Sequence, residues 1–198
     1  QVWAGKESFA VEGIGYMPKG SFIQNGEQFE INTKPSLMEC LQAGFLCNDS
    51  ALKQSEQVWT IAGDPTEGAL LVSAAKAGLD HSKLLKQMPR LDAIPFESQY
   101  QYMATLHSNL ESKENVIYLK GSVESVLSRC DTILSQDGSS STLNPDEINS
   151  QVELMASEGL RVLAFARLVI AKDMQSIDHD SVSKGMEFIG LQCMIDPP

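Results

Sequence analysis

Apolar and polar positions along this chain alternate with two periods. Residues 8–31 mix Gly, aromatic and β-branched residues in short runs, "SFAVEGIGYMPKGSF" and "NGEQFEI", which predict short strands with Asn25-Gly26 as a tight turn. Residues 35–47, "PSLMECLQAGFLC", change to helical spacing at Leu37, Leu41, Phe45 and Leu46. "QVWTI" at 57–61 alternates as a strand does. "GDPTEGALLVSAAKAG" carries a full set of helix signals: Asp64 at the N-cap, Pro65 in the first turn, Glu67 three residues after the cap and Gly78 at the end. Residues 79–88 predict a second short helix.

The second half repeats the vocabulary. "LDAIPF" and "QYMATLH" within 91–107 are extended pieces, 116–119 is a short strand and 122–129 a short helix. "QDGSSST" at 136–142 is a polar loop. "NPDEINSQVELMASEG" at 144–159 repeats the capping pattern with Asn144, Pro145 and Glu147. "LRVLAFARLVI" at 160–170 is an almost wholly apolar strand, "DMQSIDHDSVSKG" an acidic loop, and "MEFIGLQCMI" at 186–195 a final strand before Asp196-Pro197-Pro198. Hairpin-like succession outweighs regular β-α-β alternation. The expected fold is therefore α+β, a largely antiparallel twisted sheet flanked by helices. No internal repeat is found.

Composition narrows the function. The 198 residues are 42% hydrophobic and 21% charged, ordinary for a globular chain that buries its own core. A net charge of −11 argues against nucleic acid, whose phosphates need clustered Lys and Arg. No apolar run reaches the roughly 18–20 residues of a membrane span, so no membrane insertion by these residues is expected. Cys40, Cys47, Cys130 and Cys193 form no C-x-x-C pair and lie far in sequence from His81, His107 and His179, so no zinc or other metal site is expected.

Two phosphate motifs nearly occur. "GIGYMPKG" lacks the third glycine of a dinucleotide loop, and Pro18 stands where a helix would begin. "GYMPKGS" has Gly15 and Gly20 at Walker spacing, but Ser21 occupies the lysine position. "VIYLKGSVESVL" puts Lys120 between a strand and a helix without an upstream glycine loop, so Lys120 is not a Walker lysine. A nucleotide needs an aromatic face, an acceptor for an exocyclic amine, and cations. Phe96, Glu67, Lys120 and Arg161 supply those types. Each also has a plain alternative: Phe96 as core, Glu67 as the capping glutamate of its own helix, Arg161 as a paired strand-end charge, Lys120 as a solvated one.

The order of motifs adds a resemblance. "CNDSAL", "GDPTEGALL", "PFESQYQYMATLH", "YLKGSVESVL", "GLRVLAFA" and "MIDPP" resemble, in this order and across essentially the whole chain, the nucleotide-binding domain of type II P-type cation-transporting ATPases, the calcium and sodium/potassium pumps and their bacterial relatives. The resemblance implies a single nucleotide-binding domain over 1–198, cut at two hinges from an absent phosphorylation domain. It implies Mg-ATP as ligand, with the magnesium site mainly in that absent domain. Phe96 would stack on adenine, Glu67 would sit near its amino group, Lys120 and Gly121 would line the base pocket, Arg161 would reach the phosphates beside Leu163, and Asp196 would belong to a hinge. Many relatives carry lysine where Gln101 stands and some calcium pumps carry arginine where Ser98 stands; both differences remove positive charge from the pocket mouth. The implied parent is a membrane pump with this domain in the cytoplasm, working with its phosphorylation and actuator domains. No catalytic residue is expected in the chain itself, because the phosphorylated aspartate lies elsewhere. The alternative is an interaction module of such a pump that has weakened or lost nucleotide binding. The transported ion is not legible.

Overall fold

A computed structural model describes residues 1–56 and 58–195. Strands β1 (Val2–Ala4), β2 (Glu7–Val11), β3 (Phe22–Gln24) and β4 (Glu27–Gln28) form a meander. Asn25 and Gly26 turn β3 into β4 with φ of 53° and 84°, the paired positive values of a two-residue hairpin turn. Helix α1 (Pro35–Leu46) follows, then the hairpin β5 (Ala51–Ser55) and β6 (Val58–Ala62), then α2 (Pro65–Lys76) and α3 (His81–Gln87). Three long antiparallel strands, β7 (Arg90–Glu97), β8 (Tyr102–Ser108) and β9 (Glu114–Gly121), lead into the short α4 (Val123–Leu127). The chain continues through β10 (Cys130–Leu134), β11 (Ser140–Thr142), α5 (Pro145–Ser157), β12 (Leu160–Ala171) and β13 (Met186–Ile195).

The main sheet runs β4-β3-β2-β1-β13-β12-β9-β8-β7, with β10 and β11 branching from β13. Every pairing among the described residues is antiparallel except β10 with β13. The α+β expectation therefore holds. Four segments differ from the sequence reading. The "QDGSSST" loop ends in a strand, β11, because Ser140–Thr142 pair with β10. The strands β1, β5 and β10 are additional to those the pattern predicts.

Helices cover both faces of the sheet. On the first face α1 and α2 seal Leu37, Leu41, Phe45 and Leu70 against Tyr118, Phe165 and Ile189. On the second, α4 and α5 bring Val126, Ile148 and Met155 onto Ile94, Tyr102, Leu106, Ile117 and Phe188. Alternate residues of the central strands thus enter two cores, and all seven residues of β8 are buried. Burial has a cost for polar groups there. His107 in β8 bonds Met88 O at 3.1 Å and Thr105 Oγ1 at 2.9 Å, and desolvation pulls its pKa down to about 4. The four cysteines are buried free thiols.

Candidate functional site

The site is built on one row of the sheet. Ala164 of β12 lies opposite Gly121 of β9, Gly121 opposite Tyr102 of β8, and Tyr102 opposite Glu97 of β7. One position back, Lys120 lies between Phe165 and Met103. Phe165, Met103 and Tyr118 belong to the first core, so Lys120 points to that face, under α2. Leu163 and Arg161, at steps of two from Phe165, share that face where β9 has already ended.

Phe96 reaches the same face through a bulge. Ile94 is opposite Ala104, but Glu97 is opposite Tyr102, so three steps on β7 match two on β8. Regular pairing would set residue 96 opposite Tyr102, towards the second core. The extra residue instead leaves Pro95 and Phe96 both across from Met103, on the Lys120 side. The ring is 60% exposed, so the core alternative for Phe96 does not hold. The three strand spacings from β7 to β12 span about 14 Å, with Phe96 at one end and Arg161 and Leu163 at the other.

Glu67 and Lys120 form the polar centre. Lys120 Nζ donates to Glu67 Oε1 at 2.5 Å, with side-chain exposures of 8% and 17%. The second oxygen, Oε2, accepts from Asp49 N at 3.1 Å and from Ser50 Oγ at 3.0 Å. Asp64 does cap α2, accepting from Glu67 N at 3.0 Å. The Glu67 carboxylate does not complete a capping box; it turns to the segment after α1 and to Lys120. Glu67 at the first turn of α2 also meets the positive end of the helix dipole. Three acceptances leave room on the carboxylate for one more donor, and the ammonium keeps two hydrogens beyond the one given to Glu67.

Gly121 is dictated by close approach. A Cβ there would stand 2.3 Å from Gln101 O and 2.8 Å from Tyr102 Cβ. Gln101 closes the 98–101 turn in the left-handed region, φ 58°. Its carbonyl accepts from Ser122 N at 3.0 Å and its side-chain oxygen from Ser122 Oγ at 3.2 Å. Ser98 lies exposed in the same turn. Phe96, Ser98, Gln101, Lys120, Gly121, Glu67, Leu163 and Arg161 are thus gathered at one end of β7, β8, β9 and β12. Asp196 lies outside the described residues. The sequence reading gave no role to Asp49, Ser50 or Arg90; the motif "CNDSAL" was the signal that covers the first two.

An exposed ring, a buried acceptor-donor pair and a cation at the far end fit the demands of a nucleotide. Among the described residues no group of three or more His, Cys, Asp or Glu is placed to hold a metal ion. A cavity of about 630 Å³ lies elsewhere, between α2, β1 and β13, lined by Tyr16, Ala69, Ser73, Lys76, Gln192 and Met194. None of the sequence-predicted site residues lines it, so the chemistry and this hollow are separate. No helix of the described residues is long and apolar enough to cross a membrane.

Comparison with known proteins gives the family. Residues 36–198 match the family described as P-type ATPase, cytoplasmic domain N. Over its whole length the chain is 50% identical to the cation-transporting ATPase pma1 of Synechocystis sp. and 32% identical to the calcium-transporting ATPase of Bacillus subtilis, covering 22% of each. It is 33% identical to the calcium-transporting ATPase type 2C member 1 of Bos taurus over 95% of the chain and 18% of that protein. The chain therefore spans about a fifth of the length of these relatives. It belongs to the cytoplasmic N-domain family of the P-type ATPases, on the type II, cation-transporting branch.

Proposed function

We propose that this chain binds ATP, as Mg-ATP, and presents its γ-phosphate to the phosphorylatable aspartate of a parent P-type pump, which uses it to move cations across a membrane. The bulge that turns Phe96 onto the face of the Glu67–Lys120 pair is the observation that carries this reading. The base stacks on Phe96, its amino group meets the Glu67 carboxylate, and Lys120 donates to a ring nitrogen. Gly121 leaves the backbone open at that point. Arg161, three strands across the sheet and four residues along β12 from Phe165, meets the phosphates, with Leu163 packed near the nucleotide. Ser98 and Gln101 form the mouth.

Chain 1–198 acts in this reading as one nucleotide-binding unit that works with the phosphorylation and actuator domains of the same polypeptide. Its contribution is positioning; the developing charge on the phosphoryl group is met elsewhere, where the magnesium is mainly held. Stacking of about 1–3 kcal/mol and a charge-assisted hydrogen bond of about 1.5–3 kcal/mol, joined by the phosphate contacts, are largely offset by the cost of association, so the expected binding is weak, with a Kd on the order of 1 mM. The 198 residues alone bind ATP weakly and hydrolyse none.

A chemical-shift titration with Mg-ATP tests this. Shifts confined to residues near Phe96 and Lys120, abolished by Phe96→Ala, are expected. Absence of shifts at several millimolar ATP would sink the proposal and leave the interaction-module reading.

A further inference from the structure

The guanidinium of Arg90 sits where α1 ends. Arg90 opens β7, the strand whose other end carries Phe96. Its Nη1 donates to Asp49 Oδ1 at 2.7 Å, and Nη2 donates to Leu46 O at 3.0 Å and Asn48 O at 2.6 Å. The two carbonyls lie at and just beyond the C-terminal end of α1, where acceptors lack helical donors and a cation is favoured. One planar fork therefore fixes residues 46–49, which a single-point ammonium does not do.

Three of the next contacts along this segment go to Glu67. Asn48 Nδ2 donates to Glu67 O at 2.9 Å and to Gly44 O at 3.0 Å. Asp49 N and Ser50 Oγ both donate to Glu67 Oε2. Asn48 Oδ1 accepts from Ser50 N at 2.9 Å, which holds Ser50 in register. Two donors on one carboxylate oxygen fix its rotation, and the other oxygen is fixed by Lys120. The open lone pair is then aimed in one direction only.

We propose that Arg90 is a positioning residue of the nucleotide site. It acts through Asp49 and Ser50 on the orientation of the Glu67 carboxylate, and so on selection of a purine bearing an exocyclic amine over one bearing a carbonyl there. This rests on the nucleotide reading above. A role limited to holding the end of α1 would weaken every nucleotide alike. A role in aiming Glu67 lowers the preference itself.

The test is the ratio of dissociation constants for inosine triphosphate and ATP, measured by titration of the 198-residue chain. The wild-type ratio is expected near tenfold, and Glu67→Gln is expected to bring it close to one. Arg90→Gln and Arg90→Lys are expected to lower it to twofold or less, with the amide spectrum of a folded chain retained. Folded Arg90 variants with the wild-type ratio overturn the inference, whatever happens to the two affinities together. If Arg90→Gln does not fold, Asp49→Ala is used, which keeps the backbone donor of residue 49 and both carbonyl contacts. A roughly threefold fall in the ratio is then expected, and an unchanged ratio overturns the inference. A wild-type chain that binds neither nucleotide refutes the nucleotide reading itself.

Discussion

Glu67 and Lys120 are an ion pair with unequal partners, and this inequality predicts an asymmetric mutational response. The ammonium has 8% side-chain exposure and Glu67 as its ion-pair partner; the carboxylate has 17% and two further donors, Asp49 N and Ser50 Oγ. Glu67→Leu therefore strands a buried charge, a loss of about 3–5 kcal/mol. Lys120→Met leaves a carboxylate that is still hydrogen-bonded and nearer to water, a loss of about 1–2 kcal/mol. The double variant removes both charges and fills the space with apolar side chains, so it should return to within about 1 kcal/mol of wild type. In a chain of 198 residues the Glu67→Leu cost corresponds to a fall in Tm of about 10–15 °C. Urea unfolding followed by circular dichroism and by the fluorescence of the buried Trp3 measures all four corners of the cycle. Because the pair is shielded, 0.5 M salt should change the coupling by only a few tenths of a kcal/mol. Equal losses in the two single variants, or a coupling below about 0.5 kcal/mol, would refute the reasoning, since the ammonium must then reach water in solution. The double variant should be stable and yet bind no ATP.

Three more outcomes follow from neighbouring geometry. His107 is neutral in the fold because burial holds its pKa at about 4, below the ordinary 6.5; the unfolded chain takes up the proton first as pH falls. Its stabilisation is complete above about pH 6.5, drains away on acidification and stops falling near pH 4, about 3 kcal/mol in all, and His107→Gln should flatten urea midpoints across that window. Gly121→Ala forces a methyl against the Gln101 carbonyl and should cost about 1–3 kcal/mol by thermal melting while weakening ATP binding. Gln101→Lys returns a cation to the pocket mouth and should tighten ATP about two- to fivefold in low salt, with the gain lost at 0.5 M salt.

The legible parts of this chain were those in which local chemistry and tertiary need coincide. Asp64-Pro65 announces α2, and Asp64 does cap it; Asn25-Gly26 announces a hairpin, and both residues take positive φ. The apolar run of β12 is a strand because the sheet is covered on both faces, which removes alternation. The strands β5 ("ALKQS") and β11 ("SST") are polar, carry no apolar alternation of their own, and exist by pairing with the neighbouring strands β6 and β10. The same limit holds at the site. Phe96, Glu67 and Lys120 could be named from their residue types and from the resemblance, but a ring turned by a bulge and a carboxylate turned away from its own helix are tertiary facts. Arg90 gave no local sign, because its three acceptors lie 41 to 44 residues away.

The bulge in β7 also makes the length of that segment a matter of parity. Side chains on a strand swap faces at each step, so adding or removing one residue between Ile94 and Glu97 exchanges inside for outside. A chain with one residue fewer there would keep its phenylalanine and its neighbouring motif and lose the base platform. Two residues more would restore the ring to the Lys120 side. When homologous N domains are aligned, an odd-numbered gap at this point should therefore count as loss of the site even where every named side chain is present.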